Sequence, residues 1–310
     1  MAKTIQKAIV TNQLTLTTGI IASVVMWTVC YIVRPIANFG ETIGAYALYA
    51  LIGYLLIVMN KSFAIIRLRA SFQTVIFLIL TAITIEIHMF NVGIIMTLCC
   101  LFSILLLYKT FHVSWSAGLL FHAFIFWGIA SLLVPKIVWL IPYIWYTCYV
   151  FGSLNTRSFV ASVFGWSIPI GGYALYGYLT NQRMDIMAKA AEIIRVESIS
   201  SVSIELSIIV MLFFSLLIFL VSAIHFLMFA MDEKVQTRCY LQHLTVTVTV
   251  LFIIVFSCIS TTLQFMPLIL SGVSLLYGHF STLTNSKWSN IFFVSTLLCL
   301  IPLLFINLLY

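Results

Sequence analysis

The chain has 310 residues, of which 63% are hydrophobic and only 7% charged. An average soluble domain is about one-quarter charged, so a water-soluble globular fold is excluded. An ionised side chain at the bilayer centre costs several kcal/mol, and here the charges sit almost wholly in short gaps between long apolar runs. The pattern predicts an all-α fold: a polytopic bundle of transmembrane helices.

A helix needs about 20 apolar residues to cross the hydrocarbon core. About eleven runs approach that length: 14–33, 43–59, 72–87, 91–108, 116–134, 136–153, 159–179, 204–229, 243–260, 265–282 and 290–308. Only His88, Met89 and Phe90 separate the third run from the fourth. These two make either a tight hairpin or a tilted pair of half-crossing helices. The runs are continuously apolar, whereas the strands of a membrane barrel alternate over about ten residues.

Lysine and arginine concentrate on the cytoplasmic side of membrane proteins. With the N-terminus in the cytoplasm, the inner gaps hold ten: Lys3, Lys7, Lys61, Arg67, Arg69, Lys109, Arg157, Lys234, Arg238 and Lys287. The outer gaps hold five: Arg34, Lys136, Arg183, Lys189 and Arg195. The split predicts a cytoplasmic N-terminus and, after eleven crossings, an external Tyr310. No small-residue cleavage site follows the first run, which reads as an uncleaved span. The net charge of +7 suits loops facing anionic lipid, and no basic cluster is dense enough to track nucleic acid. Seven scattered cysteines without a C-x-x-C support neither a disulfide framework nor a zinc site.

The longest polar gap, 180–203, reads as an amphipathic helix lying on the membrane. Met184, Met187, Ala191 and Ile194 share one face, while Asp185 with Lys189 and Glu192 with Arg195 lace the other. It is either a surface connector or a lid. It divides one integral-membrane domain, 1–310, into prospective sub-bundles 1–179 and 204–310.

Few residues carry candidate chemistry. Glu86 stands near the outer end of the third run, with His88 two residues on. A carboxylate in the membrane is a functional candidate by default, and a Glu–His pair suits proton coupling; the alternative is a carboxylate reaching into interfacial water. Glu205 opens the eighth run, where a negative charge favours a helix N-terminus. Arg67, Arg69 and Arg157 fall on the cytoplasmic side, and their planar guanidinium forks suit a lipid phosphate such as a polyprenyl phosphate; the alternative is a purely topological role. Glu41 lies in the first external gap, where membrane glycosyltransferases that use lipid-linked donors carry a catalytic carboxylate. Its alternative is a surface ion pair with Arg34. Gly40 and Gly44 form a G-x-x-x-G that would admit a close helix neighbour. The stretch from Gly165 to Gly172 around Pro169 predicts a kinked or broken span. No two histidines have metal-binding spacing and no G-x-S-x-G is present, so neither metal nor cofactor is expected.

Ala117-Gly118, Ala130-Ser131-Leu132 before Pro135, Arg157, Gly165 and Pro169 lie within a stretch, 60–176, that resembles an uncharacterised family of multi-pass inner-membrane proteins of the Bacteroidota. The resemblance implies a Gram-negative inner membrane and a place in envelope assembly, and it transfers no catalytic residue. Some members are labelled carotene monooxygenase-like. Such cleavage needs several histidine iron ligands on a soluble propeller fold, and this chain has neither.

Three functional readings follow. One is an envelope protein that handles or scaffolds lipid-linked saccharide machinery through its cytoplasmic arginines. The second is a glycosyltransferase or polysaccharide polymerase using Glu41 or Glu86. The third is a proton-coupled transporter using Glu86, His88 and the Gly165–Gly172 segment.

Overall fold

A computed structural model describes residues 5–66, 71–180, 183–195 and 205–309. All regular structure among them is helical: α1 (Ile5–Val10), α2 (Thr15–Val33), α3 (Phe39–Phe63), α4 (Phe72–Ile83), α5 (Val92–Tyr108), α6 (Ala117–Leu133), α7 (Ile141–Val150), α8 (Thr156–Leu179), α9 (Arg183–Ile194), α10 (Leu206–Phe229), α11 (Val235–Ser257), α12 (Thr262–Leu283) and α13 (Lys287–Leu309). Each apolar run falls on a helical segment. Seven helices among the described residues are long and apolar enough to cross a membrane: α2, α3, α8, α10, α11, α12 and α13. At about 1.5 Å per residue, the 17-residue α5 and α6 reach about 26 Å. The 12-residue α4 reaches only about 18 Å.

Contacts divide the chain into two compact units. Residues 1–91, 202–252 and 260–310 form the first, and 92–201 with 253–259 the second. The division does not follow the 180–203 gap.

In the first unit α4 packs against α2, α3, α12 and α13, and α12 packs against α10 as well. Nearly every residue of α4 is buried, as is the whole of α12 from Phe265 to Ser281. A helix apolar on every side belongs at the centre of a bundle, and these two form the centre of this unit. The surrounding helices are inside out by the standard of a soluble protein. On α10 Ser207, Ser215 and Ser222 are buried, while Phe213, Leu217, Leu220, Ile224 and Leu227 are exposed. On α2 Ser23 is buried and Ile21, Val25, Ile32 and Val33 are exposed. Apolar surface of this extent is untenable in water and natural against lipid tails. Two of the buried hydroxyls of α10 are satisfied within that helix, Ser215 donating to the Leu212 carbonyl and Ser222 to the Ile218 carbonyl.

In the second unit α6 packs against α5 and α8. A Cβ at Gly165 would lie 2.4 Å from the Phe121 carbonyl oxygen, and one at Gly128 would lie 2.6 Å from that of Trp166. The two backbones therefore touch through glycines, the contact that replaces hydrophobic drive inside a membrane. Gly40 and Gly44 meet nothing within 4 Å, so the G-x-x-x-G of the first external gap brings no described neighbour close. Of the kink or break expected near Pro169, the break is absent: α8 runs continuously from Thr156 to Leu179, with Pro169 seated beside Gly128. Pro142 stands in the first turn of α7, where a missing N–H costs no hydrogen bond.

The predicted surface helix exists as α9. Lys189 does not serve only the outer face assigned to it. Its Nζ donates to the Leu132 carbonyl at 2.9 Å and lies 4.5 Å from the Tyr173 ring centroid. The Trp139 indole donates to the Ile193 carbonyl at 3.0 Å.

Candidate functional site

Among the described residues of the first unit, a cluster of charges forms where helices begin and end. α2 stops at Val33, and the next residue is Arg34. α4 stops at Ile83, followed by a 3-10 turn, Ile85–Ile87, that carries Glu86. Glu205 is the N-cap residue of α10, and Asn307 lies in the last turn of α13. All four residues thus lie at or beyond the ends of apolar helices, in a turn layer where an ionisable group is tolerated.

Arg34 holds the layer together. Its Nη2 lies 3.0 Å from Glu205 Oε2, and its Nη1 lies 3.5 Å from Glu86 Oε1. Nη1 also donates to the Asn307 carbonyl at 3.2 Å. Ser207 Oγ donates to Glu86 Oε1 at 2.7 Å. One guanidinium at the end of α2 therefore serves two carboxylates and a carbonyl drawn from three other helix ends. Glu86 is only 6% exposed, against 49% for Glu205. Its second oxygen, Oε2, is buried without a hydrogen-bond partner. Burial pushes the Glu86 carboxyl above the usual carboxylate range, the neighbouring Glu205 adds to this, and the bond from Ser207 opposes it. An unpartnered buried oxygen costs about 1–3 kcal/mol when the group is uncharged and more when it is charged, so proton binding relieves the strain on Glu86.

His88 does not join this cluster, contrary to the sequence reading of a Glu–His pair. Its Nε2 bonds the Thr81 carbonyl at 3.1 Å, closing the end of α4. Its ring stacks on Trp27 with centroids 3.6 Å apart and planes 12° from parallel. Trp27 in turn packs edge-on against Tyr46 at 5.3 Å. Burial lowers the His88 pKa to about 4, so its imidazole is neutral at physiological pH and acts as a plug for a helix end rather than as a proton partner of Glu86.

Glu41 is exposed in the first turn of α3. The predicted pair with Arg34 is replaced by the bonds of Arg34 to Glu205 and Glu86. Glu205 keeps its place at the start of α10, yet its carboxylate makes no capping bond to the helix and goes to Arg34 instead. Neither Arg34 nor Glu205 was expected to share a site with Glu86. Their common signal is the layer of the bundle in which each run starts or stops.

Arg67 and Arg69 lie outside the described residues. In the second unit Arg157 lies 5.8 Å from the Trp115 ring centroid, on a cavity of about 580 Å3 that Asn155 and Gly118 also line. α6 and α8 both begin at this cavity. Asn155 and Ser158 form a capping box on α8, whereas the α6 N-terminus has no side-chain cap. Among the described residues no group of three His, Cys, Asp or Glu side chains could hold a metal ion. Comparison of the chain with protein-family models, with curated proteins and with solved structures finds no match.

Proposed function

We propose that the protein is a proton-coupled membrane transporter in which Glu86 takes up and releases the proton. The observation that carries this reading is the buried Glu86 carboxyl, with one oxygen bonded by Ser207 and facing Arg34 and the other unpartnered. Protonating Glu86 removes one of the two negative charges around Arg34 and leaves the guanidinium to Glu205. That exchange loosens the tie between α2 and the turn after α4 while keeping the tie to α10. A proton can thus bias the packing of helix ends, which is what coupling requires. The reading extends to a Gram-negative inner membrane with a cytoplasmic N-terminus and eleven crossings, the shorter helices completing the set. The ten-to-five split of basic residues supports that orientation. The meeting of Arg34, Glu86, Glu205 and Asn307 agrees with alternating crossings, which put those ends on one side whichever side that is. The test uses proteoliposomes with an imposed pH gradient and an entrapped pH indicator, challenged with a panel of small ions, amines, acids and sugars. A solute should discharge the gradient through the wild type and not through Glu86→Gln. Proton movement indifferent to Glu86 with every solute would sink the reading.

A second reading, an envelope protein that holds a lipid-linked saccharide by its phosphate, is favoured by one observation. Arg157 and Trp115 share a cavity with the uncapped N-terminus of α6, and helix N-termini attract phosphate. Mass spectrometry of the protein extracted in its own lipids should then show a polyprenyl phosphate that is lost in Arg157→Gln. Glu41, exposed and outside the Arg34 cluster, brings no comparable support to a glycosyltransferase.

A further inference from the structure

At the other end of α10, about 36 Å from Glu205 by helix rise, lies a cavity of about 380 Å3 in the first unit. His225, Phe226 and Phe229 of α10 line it, with Asp232 and Glu233 from the turn that follows and His279 from α12. Every titratable side chain lining it is an acid or an imidazole; none is lysine or arginine. α10 and α12 both end here, so two helix C-termini add partial negative charge. The N-terminus of α13, which would favour an anion, is already closed, since the Ser286 hydroxyl accepts from the Ser289 amide at 3.0 Å.

Two ring nitrogens are left over. His279 is buried, and its Nε2 makes no hydrogen bond, facing Glu233 Oε1 across 3.6 Å. His225 Nδ1 is likewise buried and unbonded. A buried polar atom left unbonded costs about 1–3 kcal/mol, and a donor entering the cavity would satisfy it. Carboxylate oxygens, imidazole nitrogens and aromatic faces together are the lining of a cation site. The ligand groups do not gather closely enough for a metal ion, and the cavity has room for several non-hydrogen atoms.

We infer that this cavity binds an organic primary ammonium group, whose N–H donors engage Glu233 and His279 while its carbon body lies against Phe226 and Phe229. Two sources share that chemistry: a free small amine and the ethanolamine headgroup of a lipid. The site stands apart from Glu86, and its occupancy is read as binding, without proton flux.

The experiment is calorimetric titration of the full chain in phosphatidylglycerol nanodiscs with butylammonium, using butanol as the neutral analogue. Saturable binding of butylammonium and none of butanol is expected. Glu233→Gln and His279→Gln should each weaken it about tenfold or more, and Glu41→Gln, which removes a distant carboxylate, should leave it unchanged. Repeating the titration in phosphatidylethanolamine nanodiscs separates the sources. Suppressed binding there, with ethanolamine lipid retained by the wild type and lost by Glu233→Gln in native mass spectrometry, identifies the headgroup; equal binding in both lipids identifies a free amine. Equal binding of butanol overturns the proposal, as does wild-type affinity in both site variants when they elute as the wild type does. Absence of saturable binding together with no Glu233-dependent retention of ethanolamine lipid overturns it too.

Discussion

Lowering the pH should destabilise the first unit through His88, and the structure sets the size of the effect. An unperturbed histidine titrates near pH 6.5, whereas burial in the stack on Trp27 lowers His88 to about 4. The folded state therefore binds this proton less tightly than the unfolded state does. The contribution to stability is complete above about pH 6.5 and drains away as the pH falls toward about 4. At 1.36 kcal/mol per unit, the full loss is on the order of 3 kcal/mol. Glu86 works in the opposite sense. Its raised pKa means that the folded state binds the proton more tightly, so its contribution is complete below the ordinary carboxylate value of about 4.3 and is lost as the pH rises through the raised value. The two windows meet in mildly acidic solution, and single variants separate them. His88→Phe keeps a flat ring against Trp27 and cannot titrate; at neutral pH it should cost about 1 kcal/mol for the lost bond to Thr81. Equilibrium unfolding in mixed micelles, followed by near-ultraviolet circular dichroism from about pH 7 to about pH 4, should show the wild type losing stability faster than His88→Phe. Nitrogen NMR of histidine-labelled protein should show one resonance, missing from the variant, that titrates near 4. Parallel loss of stability in the two proteins would refute the argument, because the imidazole would then not be held neutral by the fold.

Four further outcomes are expected. Glu86→Gln should lack the loss of stability with rising pH that the raised Glu86 carboxyl gives the wild type, leaving only the fall toward acid through His88, measured by the same titration. Arg34→Gln leaves Glu86 and Glu205 facing one another and should cost about 2 kcal/mol, less than a fully buried pair because Arg34 and Glu205 are partly exposed. Gly165→Val drives a side chain into the Phe121 carbonyl and should destabilise the protein by more than about 2 kcal/mol, whereas Gly171→Ala, whose Cβ meets nothing within 4 Å, should change stability by less than about 1 kcal/mol; chemical unfolding separates the two. In a cysteine-free background, Asn38→Cys should react with an impermeant thiol reagent only from outside the cell and Lys61→Cys only from within, which checks the crossing and direction of α3.

The helices themselves were legible because crossing a membrane needs uninterrupted apolar length, and length is visible in one dimension. What length could not show was depth. The run 72–87 contains a helix of only 12 residues, because a turn carrying Glu86 follows it. That helix is short yet buried on nearly every side, so its apolar character reflects neighbours rather than lipid. Pro169 shows a related limit. A proline deletes one backbone donor, but whether the helix breaks depends on what fills the gap, and here Gly128 of α6 lets the ring seat against it. Nothing in the sequence of α8 reports the residue facing it from α6.

The charge cluster is not visible in residues that are close along the chain. Sequence proximity pairs Arg34 with Glu41, and Glu86 with His88, the nearest group of suitable type in each case. In a bundle of antiparallel spans the partner of a charge at a helix end is another helix end in the same layer, however distant in sequence; Arg34 and Glu205 are 171 positions apart. The alternation expected of eleven spans would assign Arg34, Glu86 and Glu205 to one side. A guanidinium and two carboxylates confined to one thin layer beside hydrocarbon interact more strongly than they would in water, and that argument predicts their association before any coordinates are known. The same rule carries the ends of α10 and α12 to the opposite layer, where Glu233 meets His279. Sorting the charged residues of a polytopic chain by layer before sorting them by sequence distance is therefore the step that would have brought both sites within reach of the sequence.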